Sequence, residues 1–185
     1  RKAINVAPEF VDAHNNLSVT LMDMLRFDEA ITSIKFAMAL NSKTAQTYIN
    51  LAVALRETGK FSEAEEAARR ALKLAPDSDE AKIELADILF VSDRLEEAET
   101  LFKDIIEIHA DSSAIYLKLS HVLERANRIE DALSSINKGI ELAPEIPELY
   151  HRKAMIYFVS NQIPEALETI ERALKIKPEF AAAMA

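Results

Sequence analysis

Lys118, His121 and Arg125 stand at i, i+3 and i+7. On a helix that spacing puts two cations and an imidazole on one face, where together they can hold a carboxylate or a phosphate. Two other histidines, His14 and His109, have no partner at ligand spacing. His121 and His151 are the only pair that neighbouring elements could bring together. No HExxH motif is present, and the absence of cysteine removes thiolate metal sites, disulfides and cysteine nucleophiles. Two glycines in 185 residues leave no glycine-rich phosphate loop. No serine, base and acid recur together in a way that would build a nucleophile. The residues therefore predict binding chemistry without catalysis, without a cofactor and without a metal. A formal charge of −9 argues against nucleic acid as the partner. No apolar run approaches the roughly 18–20 residues that a membrane-spanning helix needs.

The positions of these residues follow a period. Ala30, Ala64, Ala98, Ala132 and Ala166 are spaced 34 apart. Ser18, Ala52, Ala86, Ser120 and Ala154 repeat the spacing, as do Leu21, Leu55, Leu89, Leu123 and Tyr157. Five full units result, 11–44, 45–78, 79–112, 113–146 and 147–180. Residues 1–10 read as the end of a preceding unit and 181–185 as the start of a following helix, so the chain reads as an excerpt of a longer array.

Each unit predicts two helices. Tyr48, Leu51, Ala52 and Leu55 form an i, i+3, i+4, i+7 stripe, and Gly59 then ends the first helix in a left-handed conformation. Asp93, Asn127 and Asn161, tolerant types, take that place in later units, and Leu25 is the exception. Second helices open on acids and close on bases, as the helix dipole favours. His14 is expected to serve packing. Gly139 replaces an alanine at a crossing and predicts either a gap or a close approach.

The stretch from Thr47 to Asp77 carries the pattern of aromatic, Leu-Ala, Gly, aromatic, Ala, Ala-Leu and Pro at fixed offsets. It resembles a tetratricopeptide repeat, and the resemblance covers the whole chain as a single array. The repeats are similar to those of O-linked N-acetylglucosamine transferases and of bacterial proteins of this family. The resemblance implies an all-α, right-handed solenoid of stacked antiparallel helix pairs, with first helices lining a concave groove. It places Asn16, Asn50, Arg56, Glu84, Asp87, Lys118, His121, Arg125, His151 and Arg152 on that groove. The groove is mostly acidic in the first three units and slightly positive in the last two. This predicts a protein or peptide partner with an anionic group near units four and five.

Three functions stay open. One is a non-catalytic interaction scaffold. Another is the recruiting arm of a glycosyltransferase-like enzyme, in which Asn16 and Asn50 would belong to an asparagine ladder that grips peptide backbone. The third is an array that self-associates end to end through apolar faces around Ile4, Val6, Ile170 and Leu174. Of the family's dicarboxylate-clamp positions only Arg152 matches.

Overall fold

The computed structural model describes residues 11–40 and 43–179. The readings placed on 1–10, including Ile4 and Val6, and on 181–185 lie outside the described residues. The described residues form ten α-helices. In chain order these are α1 Val11–Asp23, α2 Phe27–Ala39, α3 Ala45–Glu57, α4 Phe61–Leu74, α5 Asp79–Val91, α6 Leu95–Ile108, α7 Ser113–Arg125, α8 Ile129–Leu142, α9 Pro147–Val159 and α10 Ile163–Ile176. Odd-numbered helices are the first of each repeat and even-numbered helices the second. The fold is an all-α helical repeat, as the period predicts. The residues group into two compact units, Arg1–Arg94 and Leu95–Ala185.

The hairpin turn is built the same way five times. Arg26 N–H donates to Leu21 O at 2.8 Å, Lys60 to Leu55 at 2.9 Å, Arg94 to Leu89 at 2.9 Å, Arg128 to Leu123 at 2.9 Å and Gln162 to Tyr157 at 2.8 Å. These bonds require the preceding residue to turn left-handed. Gly59 does so at φ 75°, Asp93 at 61°, Asn127 at 58° and Asn161 at 60°. Leu25 does so too, at φ 57°, although its Cβ opposes that conformation. The turn geometry thus overrides residue type in the first repeat, and Leu25 gains little in return because it is 76% exposed. Leu25→Gly is expected to raise the unfolding free energy by about 1 kcal/mol. Thermal unfolding of the two proteins checks this, and an unchanged or lowered midpoint would count against the strain argument.

Two first helices, α3 and α5, begin on a side-chain cap. Thr44 Oγ1 accepts from Thr47 N–H at 3.2 Å, and Ser78 Oγ accepts from Ala81 N–H at 3.2 Å. Each satisfies an N–H that has no partner inside the helix. Pro147 occupies the first turn of α9, where its missing N–H costs nothing. The second helices α2, α4, α8 and α10 lack a side-chain cap, but second helices carry acids such as Glu63, Glu130 and Asp131 in their first turns.

Within repeats one, two, four and five the two helices pack together, and small residues along the chain are deeply buried. Ala30, Ala64, Ala98 and Ala132 have no exposed surface, and neither do Ser18, Ala52, Ala86 and Ser120. The two buried serines stay satisfied by donating back along their own helices, Ser18 Oγ to Asn15 O at 2.7 Å and Ser120 Oγ to Leu117 O at 2.6 Å. Repeats one and four also share a bond between their helices. Ser33 Oγ donates to His14 O at 3.1 Å and Ser135 Oγ donates to Tyr116 O at 2.9 Å. His14 is buried, and its ring lies 4.4 Å from that of Phe36. Gly139 marks a close approach. A Cβ there would lie 3.3 Å from Leu149 Cδ2 of α9 and 3.3 Å from the Ser113 carbonyl of α7.

Candidate functional site in the first helices

In unit Arg1–Arg94 the candidate residues lie on α1, α3 and α5. Asn16 is exposed on α1. Asn50 is half-buried on α3, where its Oδ1 accepts from Gln46 Nε2 at 3.2 Å. Gln46 Nε2 also reaches Glu80 Oε1 at 3.1 Å on α5. Arg56 donates from Nε to Glu84 Oε1 at 2.8 Å and from Nη1 to Glu57 Oε1 at 2.6 Å. Glu84 is only 6% exposed, so this pair is a seam between repeats two and three. Burial works against the Arg56 charge, but the hydrogen bond and field of Glu84 outweigh it and raise the pKa above the ordinary guanidinium value. Asp87 is half-buried on α5 and adds its field to Arg56.

In unit Leu95–Ala185 the candidates lie on α7 and α9. Arg152 is 8% exposed. Its guanidinium pairs with the Glu124 carboxylate, donates to the Ser120 carbonyl at 3.1 Å and reaches Ser120 Oγ at 3.4 Å. Burial nevertheless pulls its pKa below the ordinary value. Arg152 and Glu124 therefore neutralise one another. This pair has the register of Arg56 and Glu84, since both join a twelfth position to the sixth position of the next repeat, 28 residues on. The charges are reversed between the two.

Lys118 and His151 are half-buried, while His121 and Arg125 are exposed. His121 feels Arg152, Lys118 and His151 together. Although its ring reaches solvent, burial by the helices around it and then the fields of these groups, Arg152 and Lys118 foremost, depress its pKa to about 4. His151 is lowered as well, by burial first and Arg152 second. At neutral pH both imidazoles are uncharged, and each carries one N–H donor and one acceptor. Among the described residues no group of three or more His, Asp or Glu side chains is arranged to hold a metal ion. No described helix is long and apolar enough to cross a membrane.

A second set of ionic seams lies on the second helices, where Glu65 and Glu99 are held from both sides. Glu65 Oε1 is 2.7 Å from Arg69 and 2.7 Å from Arg94 of the next repeat. Glu99 is 2.8 Å from Lys103 and 2.7 Å from Arg128. Reading the acids that open second helices, Glu65 among them, as suited only to the helix dipole misses this role. The signal was the constant spacing of 29 from Glu65 to Arg94 and from Glu99 to Arg128. Burial would raise both carboxyl pKa values, but the paired hydrogen bonds win and lower them from 4.5.

A native pKa below the unfolded one means that the native state binds fewer protons. The stability supplied by Glu65 and Glu99 is thus complete above about pH 4.5 and is lost as pH falls through the native values. Urea midpoints measured from pH 7 to pH 3 are expected to fall less steeply for the E65Q/E99Q double variant than for the parent. Equal slopes would dismiss the seam as a source of acid sensitivity.

Tetratricopeptide repeat family profiles match residues 9–77, 55–122 and 117–182, covering the chain almost end to end. No curated protein matches the chain in sequence. Among solved structures, YrrB, a TPR protein with an unusual peptide-binding site, is 18% identical with a TM-score of 0.69, covering 99% of this chain and 94% of its own. MamA from Desulfovibrio magneticus RS-1 is 15% identical with a TM-score of 0.78, covering 91% and 96%. A thermophilic TPR protein from Thermus thermophilus is 20% identical with a TM-score of 0.77, covering 91% and 92%. The profile matches, the 34-residue period and the five left-handed hairpin turns agree, and the chain belongs to the tetratricopeptide repeat family.

Proposed function

We propose that this chain is a non-catalytic interaction scaffold whose first-helix face in repeats four and five binds an acidic segment of a protein partner. The observation that carries the reading is the row Lys118, His121 and Arg125 on α7 beside His151 on α9. The carboxylate of Glu124 on the same helix is engaged by Arg152. Burial first, and then the charges of Arg152 and Lys118, depress the His121 pKa to about 4. A peptide carboxylate placed there would pair with Lys118 and Arg125 and accept from an imidazole N–H. The first helices of unit Arg1–Arg94, with Asn16, Asn50 and Asp87, supply amide and acidic groups suited to backbone and basic side chains of a segment. MamA and YrrB share the fold, and YrrB is a TPR protein with an unusual peptide-binding site.

NMR titration of the His121 ring tests this. A glutamate-rich peptide is expected to raise the His121 pKa from about 4 toward the ordinary imidazole range, because a bound carboxylate stabilises the imidazolium. The same peptide with glutamines should leave it unchanged. A His121 titration indifferent to both peptides would reject the anionic contact.

A further inference from the structure

Repeat five departs from the repeat pattern inside its own hairpin. The position held by the buried leucines Leu51, Leu85 and Leu119 is Lys153 on α9. One turn on, where Leu55, Leu89 and Leu123 are buried, stands Tyr157. Together with Tyr150 these two residues line a cleft of about 440 Å³ between α9 and α10. The cleft is distinct from the surface on which one repeat stacks on another. In repeat four that surface is marked by Ser120, Glu124 and Gly139, which meet Arg152 and Leu149 of α9. Their counterparts 34 residues on are Ala154, Phe158 and Ala173, and none of them lines the cleft.

Lys153 is half-buried, and its ammonium lies 5.6 Å from the centroid of the Tyr157 ring. Among the described residues no carboxylate pairs with it. A ring face returns only part of the hydration that a cation gives up on burial. Across the cleft, α10 contributes Glu165 and Glu168 from its first half and Arg172 and Lys175 from its second. The side-chain charges of these four also stay unpaired among the described residues. Elsewhere the i, i+4 spacing closes into an ion pair, Glu65 with Arg69 at 2.7 Å and Glu99 with Lys103 at 2.8 Å. Glu168 and Arg172 share that spacing and remain apart.

The charges are sorted along the cleft. The two helices of the hairpin run antiparallel, so Tyr157 stands by the acidic half of α10 and Tyr150 by the basic half. Glu168 and Arg172 are roughly 6 Å apart along the helix axis, and Glu165 and Lys175 roughly 15 Å. A ligand with a single charge meets one attractive end and one repulsive end. A zwitterion laid along the cleft meets an opposite charge at both.

We infer that the α9–α10 cleft binds a zwitterion whose ammonium and carboxylate are held apart by an aliphatic chain. The ammonium lies against Glu165 and Glu168, the carboxylate against Arg172, Lys175 and Lys153, and the chain along Tyr150 and Tyr157. A free ω-amino acid and the C-terminal lysine of a protein share this chemistry. The site is independent of the acidic segment assigned to the inner face.

The test titrates 6-aminohexanoate into the whole chain and follows the tyrosine ring resonances by NMR. Saturable shifts of Tyr150 and Tyr157 are expected, with affinity at least tenfold above that of hexylamine or hexanoate, each of which lacks one charge. Lys153→Leu restores the residue type of the preceding repeats, so the helices should persist, which circular dichroism checks. It is expected to weaken 6-aminohexanoate at least tenfold. Glu168→Lys is expected to turn the preference toward hexanoate. A peptide that ends in lysine with a free carboxylate and binds more tightly than 6-aminohexanoate assigns the site to a protein C terminus; one that binds no more tightly assigns it to the free ω-amino acid. No saturable shift, equal binding of hexylamine or hexanoate, or undiminished affinity in K153L would overturn the inference.

Discussion

Arg152→Glu is expected to lower the unfolding free energy by about 3 kcal/mol, and adding Glu124→Arg is expected to restore most of the loss. The single change puts a second carboxylate beside Glu124 in a seam where Arg152 is 8% exposed, and it strips the Ser120 carbonyl of its donor. Breaking a buried pair costs about 3–5 kcal/mol, and the partial exposure of Glu124 places this case at the lower end. The reversed pair is not foreign to the fold. Arg56 and Glu84 already hold it between repeats two and three, with arginine at the twelfth position and glutamate at the sixth. Urea unfolding of the parent, the single variant and the double variant decides the matter. A double variant no more stable than the single one would show that the seam needs Arg152 for a reason other than charge.

The second large effect concerns binding. K118E/R125E is expected to weaken an acidic ligand on the order of 10- to 100-fold, since two favourable charge contacts become repulsive. Neither residue belongs to the Arg152–Glu124 seam. The loss should shrink as salt is added, because at least Arg125 is exposed and its interactions are screened. A thermal midpoint within a few degrees of the parent's would separate lost binding from lost structure.

The period and its punctuation were legible in the sequence because each repeat solves the same packing problem. Alanine or serine at two crossings and a left-handed residue between helices recur at fixed offsets. Leu25 shows that register was the stronger signal, since its type argued against the turn that its position demanded. Gly139 left two outcomes open. Whether a missing Cβ makes room or admits a neighbour depends on how closely α7 and α9 approach, which no single helix encodes. The candidate site was only partly legible. Reading one helix at a time puts Glu84 and Arg152 on the inner face with Lys118 and Arg125. Which of these charges meets a partner in the next repeat depends on an offset of 28 residues between a twelfth and a sixth position. That offset turns Arg56, Glu84 and Arg152 into seam residues. The proposed contact in repeats four and five draws on Lys118, His121, Arg125 and His151. The seams at Glu65 and Glu99 were hidden in the same way, behind acids that also suit a helix start.

The central claim is that the inner face of repeats four and five selects acidic sequence. Selection of binders from a random peptide library, run in parallel on the parent chain and on K118E/R125E, measures it without assuming a partner. Aspartate and glutamate are expected to be enriched among peptides retained by the parent, and that enrichment is expected to be lost with the variant. Peptides without acidic bias, or the same bias retained by K118E/R125E, would contradict it.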